Sequence, residues 1–211
     1  MDKSKIAVDI FDKRAGDYQD KFMDLDLYHD TLDLFCDSIA KENADILELA
    51  CGPGNITRYL LKKRPGFKIL GTDLSPNMIT LAKNNNPEAE FRLMDCRDIG
   101  TIGKKYDAIM CGFCLPYLSK EESVELIGNA SKLLSPQGIL YISTMEDSYD
   151  KSGFESSSKG DQMYIHYHES GYLTDALLAN GFKIIHIERK KFPFPKQDGT
   201  TITDLVIIAG K

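Results

Sequence analysis

Residues Ile46 to Thr57 read I-L-E-L-A-C-G-P-G-N-I-T, and this run limits the possible folds more than any other. An apolar stretch (Ile46, Leu47, Leu49) meets Cys51-Gly52-Pro53-Gly54, and helical spacing then opens at Asn55 with Tyr59, Leu60 and Leu61. The pattern predicts a strand, a glycine turn and a helix N-terminus. Glycine permits positive φ and leaves the backbone bare, so a flat, polar or anionic ligand can approach the turn. Asp73 ends a second apolar run (Ile69, Leu70, Gly71, Thr72). It lies about twenty residues past the turn, the usual spacing of a ribose-binding acid in a nucleotide-binding βαβ unit.

The turn also excludes ligands. A dinucleotide fingerprint needs a third glycine where this chain has Thr57, and the G-x-x-x-x-G-K-[ST] phosphate loop is absent. Glu48 stands in the strand beside the turn, where a carboxylate would repel a pyrophosphate and suit an ammonium group. S-adenosylmethionine carries that ammonium and no phosphate.

At this point the chain resembles the class I S-adenosylmethionine-dependent methyltransferases. Their first motif, E-x-x-x-G-x-G, is matched by Glu48, Gly52 and Gly54, and their ribose acid by Asp73 in G-T-D-L-S-P-N-M-I. Their adenine-contacting acid falls on Asp95 in L-M-D-C, with Asp98 as a competing choice. The fourth-strand motif falls on Tyr106 to Cys111, and the turn into strand five on Leu133-Leu134-Ser135-Pro136-Gln137-Gly138. The resemblance covers roughly residues 44 to 145. It implies a three-layer, Rossmann-like α/β fold with a seven-stranded, mostly parallel sheet whose last strand is antiparallel. It implies S-adenosylmethionine as cofactor and S-adenosylhomocysteine as product. Cofactor contacts would come from Glu48, Ala50, Gly52, Gly54, Asp73, Leu74, Met78, Asp95, Cys96 and Cys111. Tyr18 would join them from an N-terminal helix, shared with Phe11, that closes over the cofactor.

A length of 211 residues with 42% hydrophobic content suits one domain. Helices are expected at 5–22 and 27–41, so residues 1–43 form an N-terminal helical section. The cofactor-binding core follows at 44–145, with strands at 45–50, 68–73, 90–94, 106–111 and 138–144. Its helices are expected at 55–64, 76–84 and 119–134, the last begun by a Ser119/Glu122 capping box. The serine-rich stretch 146–162 reads as a mobile loop or lid within an insertion at 146–168. A helix at 169–180 and strands at 182–192 and 201–209, joined by 193–199, complete the chain.

Formal net charge is −6, which argues against a broad nucleic-acid footprint. Lys62-Lys63-Arg64 and Arg189-Lys190-Lys191 read as solvated element ends. No apolar run approaches the ~20 residues of a membrane span. The polar start and five cysteines suggest a cytoplasmic protein with reduced thiols, a monomer or homodimer. Cys111-x-x-Cys114 lacks further zinc ligands and reads as packing, so no metal is expected.

Methyl transfer from a sulfonium needs alignment more than a dedicated catalytic group. A general base adds about 10²–10⁴-fold where the acceptor must lose a proton. His166, His168 and Tyr117 are the candidates. The family often has a histidine near Tyr117, and this chain does not. The expected acceptor is a small molecule. Alternatives are a protein or RNA methyltransferase with a partner, and a non-catalytic S-adenosylmethionine-binding regulator.

Overall fold

The computed structural model describes residues 2–24, 26–157, 159–193 and 199–211. In chain order the elements are α1 (Lys3–Lys13), α2 (Ala15–Phe22), α3 (His29–Ser38), β1 (Asp45–Leu49), α4 (Asn55–Lys63), β2 (Lys68–Asp73) and α5 (Pro76–Asn85). They continue with β3 (Glu90–Leu93), β4 (Tyr106–Cys111), α6 (Lys120–Leu133), β5 (Leu134–Glu146), β6 (Gly153–Ser156) and β7 (Gln162–Ile165). The chain closes with α7 (Ser170–Ala179), β8 (Lys183–Lys191) and β9 (Thr203–Gly210).

Seven strands form one sheet in the order β3-β2-β1-β4-β5-β9-β8. β1 pairs in parallel with β2 and β4, β2 with β3, and β4 with β5, while β9 runs antiparallel to both β5 and β8. Successive units move outward from β1 to β3, then return to place β4 on the other side of β1. That reversal opens a crevice at the C-terminal ends of β1 and β4, where open α/β sheets bind ligands.

Apolar residues face both sides of the central strands because helices cover both faces. Leu47, Leu49, Ile109, Leu140, Ile142 and Ile207 pack against Leu126, Ile127 and Leu177 of α6 and α7. Ile46, Ala108, Met110, Tyr141 and Val206 pack against Leu32, Phe35 and Leu60 of α3 and α4. Each such Leu or Ile contributes about 1.5–3 kcal/mol by leaving water. The Ser119/Glu122 capping box forms as expected, with Glu122 accepting the Ser119 N–H at 2.7 Å. Among the described residues no helix is long and apolar enough to cross a membrane.

Three expectations differ from the fold. The first helix breaks at Arg14 (φ −109°, ψ 18°) into α1 and α2. The strand expected from 138 begins at Leu134, because α6 stops at Leu133 and Leu134 pairs with Tyr106 before a bulge. The stretch expected to be a mobile loop contains the β6–β7 hairpin, in which Phe154 pairs with Tyr164 and their rings meet edge to face at 5.3 Å. β7 ends at Ile165, so His166 and His168 lie beyond the strand. Of the connection expected at 193–199, residues 194–198 lie outside the described residues.

Gly54 caps α4 in the left-handed region (φ 79°), where a Cβ would stand 2.3 Å from Asn86 Nδ2 and 3.3 Å from the Ala82 Cα. Gly54→Ala is therefore expected to destabilise the protein by about 1–3 kcal/mol through overpacking. Urea unfolding would measure this; a loss within the scatter would mean that Asn86 yields.

Candidate active site

The crevice becomes a site through the backbone leaving β1. Ala50 and Gly52 both take positive φ (51° and 54°). For a residue with a side chain this conformation costs roughly 1–3 kcal/mol, and such strain concentrates at functional sites. Cys51 N–H bonds the Thr72 carbonyl at 2.9 Å, which ties the turn to β2. Asp73, at the end of β2, accepts the Gly52 N–H at 2.9 Å with one oxygen and the Ser75 N–H at 2.8 Å with the other. Burial raises its pKa, and these two N–H groups oppose the rise. The carboxyl is thus fixed in orientation by its own turn and by the entry to α5.

Above the turn is a partly open cavity of about 130 Å³. Ala50, Gly52 and Asp73 line it from β1 and β2; Leu74, Met78, Met94, Asp95 and Cys96 line it on the β2–β3 side. Gly112, Phe113 and Tyr117 line the β4 side, and Ala7, Phe11 and Tyr18 of α1 and α2 form the remaining wall. Phe11 meets Tyr18 edge-on at 5.6 Å and Tyr117 at 5.1 Å, giving a continuous aromatic cover. Burial, with the nearby Asp73 charge, pushes the Tyr18 hydroxyl up to about 12.

The cover is fastened at several points. Asp12 accepts the Ser75 hydroxyl at 2.7 Å and the Asn77 N–H at 2.9 Å. Gln19 accepts from Asn85 at 2.8 Å, and Arg14 reaches Asp161 beside the hairpin at 3.0 Å. Lys3 of α1 stands over the Tyr164 ring at 3.4 Å. Arg97 joins three carboxylates, Asp95 at 2.7 Å, Glu122 at 3.2 Å and Asp2 at 3.3 Å, and so ties the start of α1 to α6. Its partners are dispersed in sequence, and nothing in the local pattern marked it.

Of the expected cofactor residues, Tyr18, Ala50, Gly52, Asp73, Leu74, Met78, Asp95 and Cys96 converge on the cavity. Asp95 faces it, whereas Asp98 is exposed to solvent. Three do not line it. Cys111 is buried within β4. Gly54 serves the contact with α5. Glu48 is buried beneath the turn; one oxygen accepts the Thr57 hydroxyl, and the other has no hydrogen-bond partner among the described residues. Burial pushes this carboxyl up to about 8, so at neutral pH it is predominantly an uncharged acid. The expected negative charge beside the turn is therefore corrected: desolvation outweighs the hydrogen bonds that favour ionisation. Thr57, which broke the dinucleotide pattern, is the residue that holds Glu48.

The histidine candidates lie outside the cavity wall. His166 donates its backbone N–H to the Pro116 carbonyl at 2.8 Å, and its ring meets the Tyr149 hydroxyl at 3.2 Å. His168 Nε2 bonds the Leu115 carbonyl at 2.8 Å while Nδ1 meets Tyr172, and burial lowers its pKa to about 4. Both brace the 115–117 turn from behind. Tyr117 does line the cavity, but burial raises its pKa, so the hydroxyl stays protonated. Cys96 and Cys114 are free thiols with sulfurs 3.2 Å apart. Asp24, Asp26 and His29 come together at the surface, away from these groups.

Residues 46–138 match the family described as methyltransferase domain. Trans-aconitate 2-methyltransferase of Variovorax paradoxus is 34% identical over 101 residues, 48% of this chain and 38% of that protein. Across the first three curated relatives, the match covers 34%, 38% and 50% of their own length, so the chain spans half of them or less. Two solved structures share the fold at low identity. Magnesium protoporphyrin IX methyltransferase from Synechocystis PCC 6803, with bound S-adenosylmethionine, has a TM-score of 0.73 at 18% identity, covering 100% of this chain and 98% of that one. The Burkholderia thailandensis 1,6-didemethyltoxoflavin-N1-methyltransferase, with its acceptor and S-adenosylhomocysteine, has a TM-score of 0.70 at 20% identity, covering 98% and 88%. Over residues 46–138 the chain matches a methyltransferase domain, and its strand order and Gly52–Asp73 arrangement are similar to those of the class I S-adenosylmethionine-dependent methyltransferases.

Proposed function

We propose that this protein transfers the methyl group of S-adenosylmethionine to a small-molecule acceptor by in-line displacement, as a cytoplasmic monomer or homodimer. The observation that carries the reading is Asp73, held by the Gly52 and Ser75 N–H groups and facing a partly covered cavity at the switch point of the sheet. The cavity residues fit the cofactor. The Asp73 carboxylate accepts backbone N–H groups, those of Gly52 and Ser75 among them, and its remaining lone-pair capacity suits ribose hydroxyls. Leu74, Met78, Met94 and Cys96 offer an apolar slot beside Asp95 that suits a purine. The bare backbone at Gly52 and the Tyr18 ring suit the amino-acid end.

When bound, the cofactor supplies an electrophilic methyl group on a positive sulfur. The chain's part is to align an acceptor and exclude water, which Phe11, Tyr18 and Tyr117 do as an aromatic cover. Glu48 acts through Thr57 and the turn rather than by direct contact. The β6–β7 hairpin, fastened to α1 and α2, would serve as the lid expected of the 146–168 insertion. A small acceptor is supported by the relatives, whose names specify trans-aconitate, magnesium protoporphyrin IX and 1,6-didemethyltoxoflavin.

The test has two stages. Calorimetry should show binding of S-adenosylhomocysteine, and S-adenosylmethionine should then be consumed with members of a small-molecule panel. Absence of binding would sink the reading. Binding without transfer to any small molecule, protein or RNA would leave a cofactor-binding regulator.

A further inference from the structure

Beside the β4 wall of the cavity lies a pair of groups that the cofactor slot does not use. Asp204, the second residue of β9, is 2% exposed, and its carboxyl accepts the Tyr28 hydroxyl at 2.6 Å. Lys190, opposite it in the β8–β9 register, gives its ammonium to Asp30 at 2.7 Å and Glu188 at 2.9 Å instead. Tyr141 of β5 also faces this spot, bonded to Thr31, within the field of Asp30, Glu188 and Asp204. Asp204 itself pairs in register with Met145 of β5, which brings no charge. Burial pushes its carboxyl up to about 6 against the pull of the Tyr28 hydrogen bond. A buried carboxylate whose partner is a phenol rather than a cation is unfavourable for stability, which calls for a functional account.

Tyr28 does not itself line the cavity, but it joins this carboxyl to a residue that does. It is half-buried, and its ring stands edge-on to Phe113 at 5.1 Å; Phe113 lines the cavity. Phe113 is held in the left-handed region (φ 53°), with its N–H on the Ser143 hydroxyl at 2.9 Å. Strain of this kind in a bulky residue is expected where the surrounding structure fixes a side chain for a task. The C-terminal ends of β4 and β5 and the start of β9 thus converge on Phe113, Tyr28 and Asp204, beside the cavity wall that Phe113 forms.

We propose that Tyr28, backed by Asp204, takes the proton of the methyl acceptor, and that the acceptor is a neutral small molecule bearing a hydroxyl or ring N–H rather than a polycarboxylate. The proposal rests on the methyltransferase reading above. In the step, a lone pair of the acceptor heteroatom forms the bond to the methyl carbon as the carbon–sulfur bond breaks, leaving its electron pair on sulfur. The acceptor proton passes to the Tyr28 oxygen while the Tyr28 proton passes to Asp204. Tyr28 ends as it began, Asp204 ends protonated, and one positive and one negative charge vanish together. A polycarboxylate has no proton to give at neutral pH and would approach Asp204 against its charge. Arg97, the cation at the cavity, is already engaged by Asp2, Asp95 and Glu122.

The protein would be given S-adenosylmethionine with catechol and phenol as hydroxyl probes, benzimidazole as an N–H probe and trans-aconitate as the polycarboxylate. S-adenosylhomocysteine affinity is measured first, because its absence would overturn the methyltransferase reading and this proposal with it. The expected result is transfer to a hydroxyl or N–H probe, with a rate that rises with pH through about 6. Tyr28→Phe and Asp204→Asn should bind S-adenosylhomocysteine like the wild type yet transfer at least about 100-fold more slowly, the lower range for general-base loss. Asp204→Asn should also lose the rise near pH 6, which a purely structural role would leave in place. Tyr28→Phe preserves the ring against Phe113, so it tests the step even if the Asp204 variant folds poorly. Undiminished transfer in Tyr28→Phe, an unchanged pH profile in a folded Asp204→Asn, preference for trans-aconitate, or a cofactor-binding wild type inert to every hydroxyl and N–H probe would overturn the proposal.

Discussion

Alanine at position 73 is expected to weaken S-adenosylhomocysteine binding by roughly 1.5–3 kcal/mol, or about 10- to 150-fold, the range for lost charge-assisted hydrogen bonds. Two effects act in the same direction. The ribose hydroxyls lose their acceptor, and the N–H groups of Gly52 and Ser75 lose the carboxyl that orders the turn. Asp73→Asn should fall between, because the amide keeps one acceptor oxygen and gives up the charge. Calorimetry on folded variants decides the matter; wild-type affinity in Asp73→Ala would remove the ribose assignment.

The second large effect concerns stability and pH. Glu48 titrates at about 8 in the folded protein against 4.5 as a free side chain. Between those values the folded chain holds a proton that the unfolded chain releases, so stability falls as pH rises. The slope is about 1.4 kcal/mol per pH unit for one proton, which gives a total of a few kcal/mol across the window. Glu48→Gln keeps the shape and an acceptor for Thr57 but cannot ionise. Its stability difference between pH 5 and pH 8 should therefore be smaller than that of the wild type by a few kcal/mol. Urea unfolding at pH 5, 6.5 and 8 would show it, and parallel curves for the two proteins would refute the assignment.

These two residues mark what a sequence can and cannot disclose. The turn from Leu49 to Asn55 and the place of Asp73 are local matters of glycine, apolar spacing and chain distance, and they read directly. The charge of Glu48 is different: its motif position is plain, but its ionisation depends on packing against Thr57 and on burial by elements far along the chain. The β6–β7 hairpin was hidden because serines crowd its surface and its apolar pair, Phe154 and Tyr164, is separated by the turn. His166 and His168 looked chemically able, yet their rings are enclosed by Tyr149, Tyr172 and the 115–117 turn. Arg97 and the Tyr28–Asp204 pair join residues 95 and 176 positions apart, contacts that only the folded topology creates.

The cavity wall contributed by α1 and α2 has a kinetic consequence. If a nucleoside-sized ligand binds beneath Tyr18, outward movement of those helices from the Phe11–Tyr117 contact would widen its way out. That movement breaks the Asp12 contacts to Ser75 and Asn77 and the Arg14–Asp161 pair together. In that case the residence time of a bound ligand would depend on how often these fastenings open as well as on ligand contacts. A slow product-release step would follow from the fastening of two short helices, some distance from the reacting atoms.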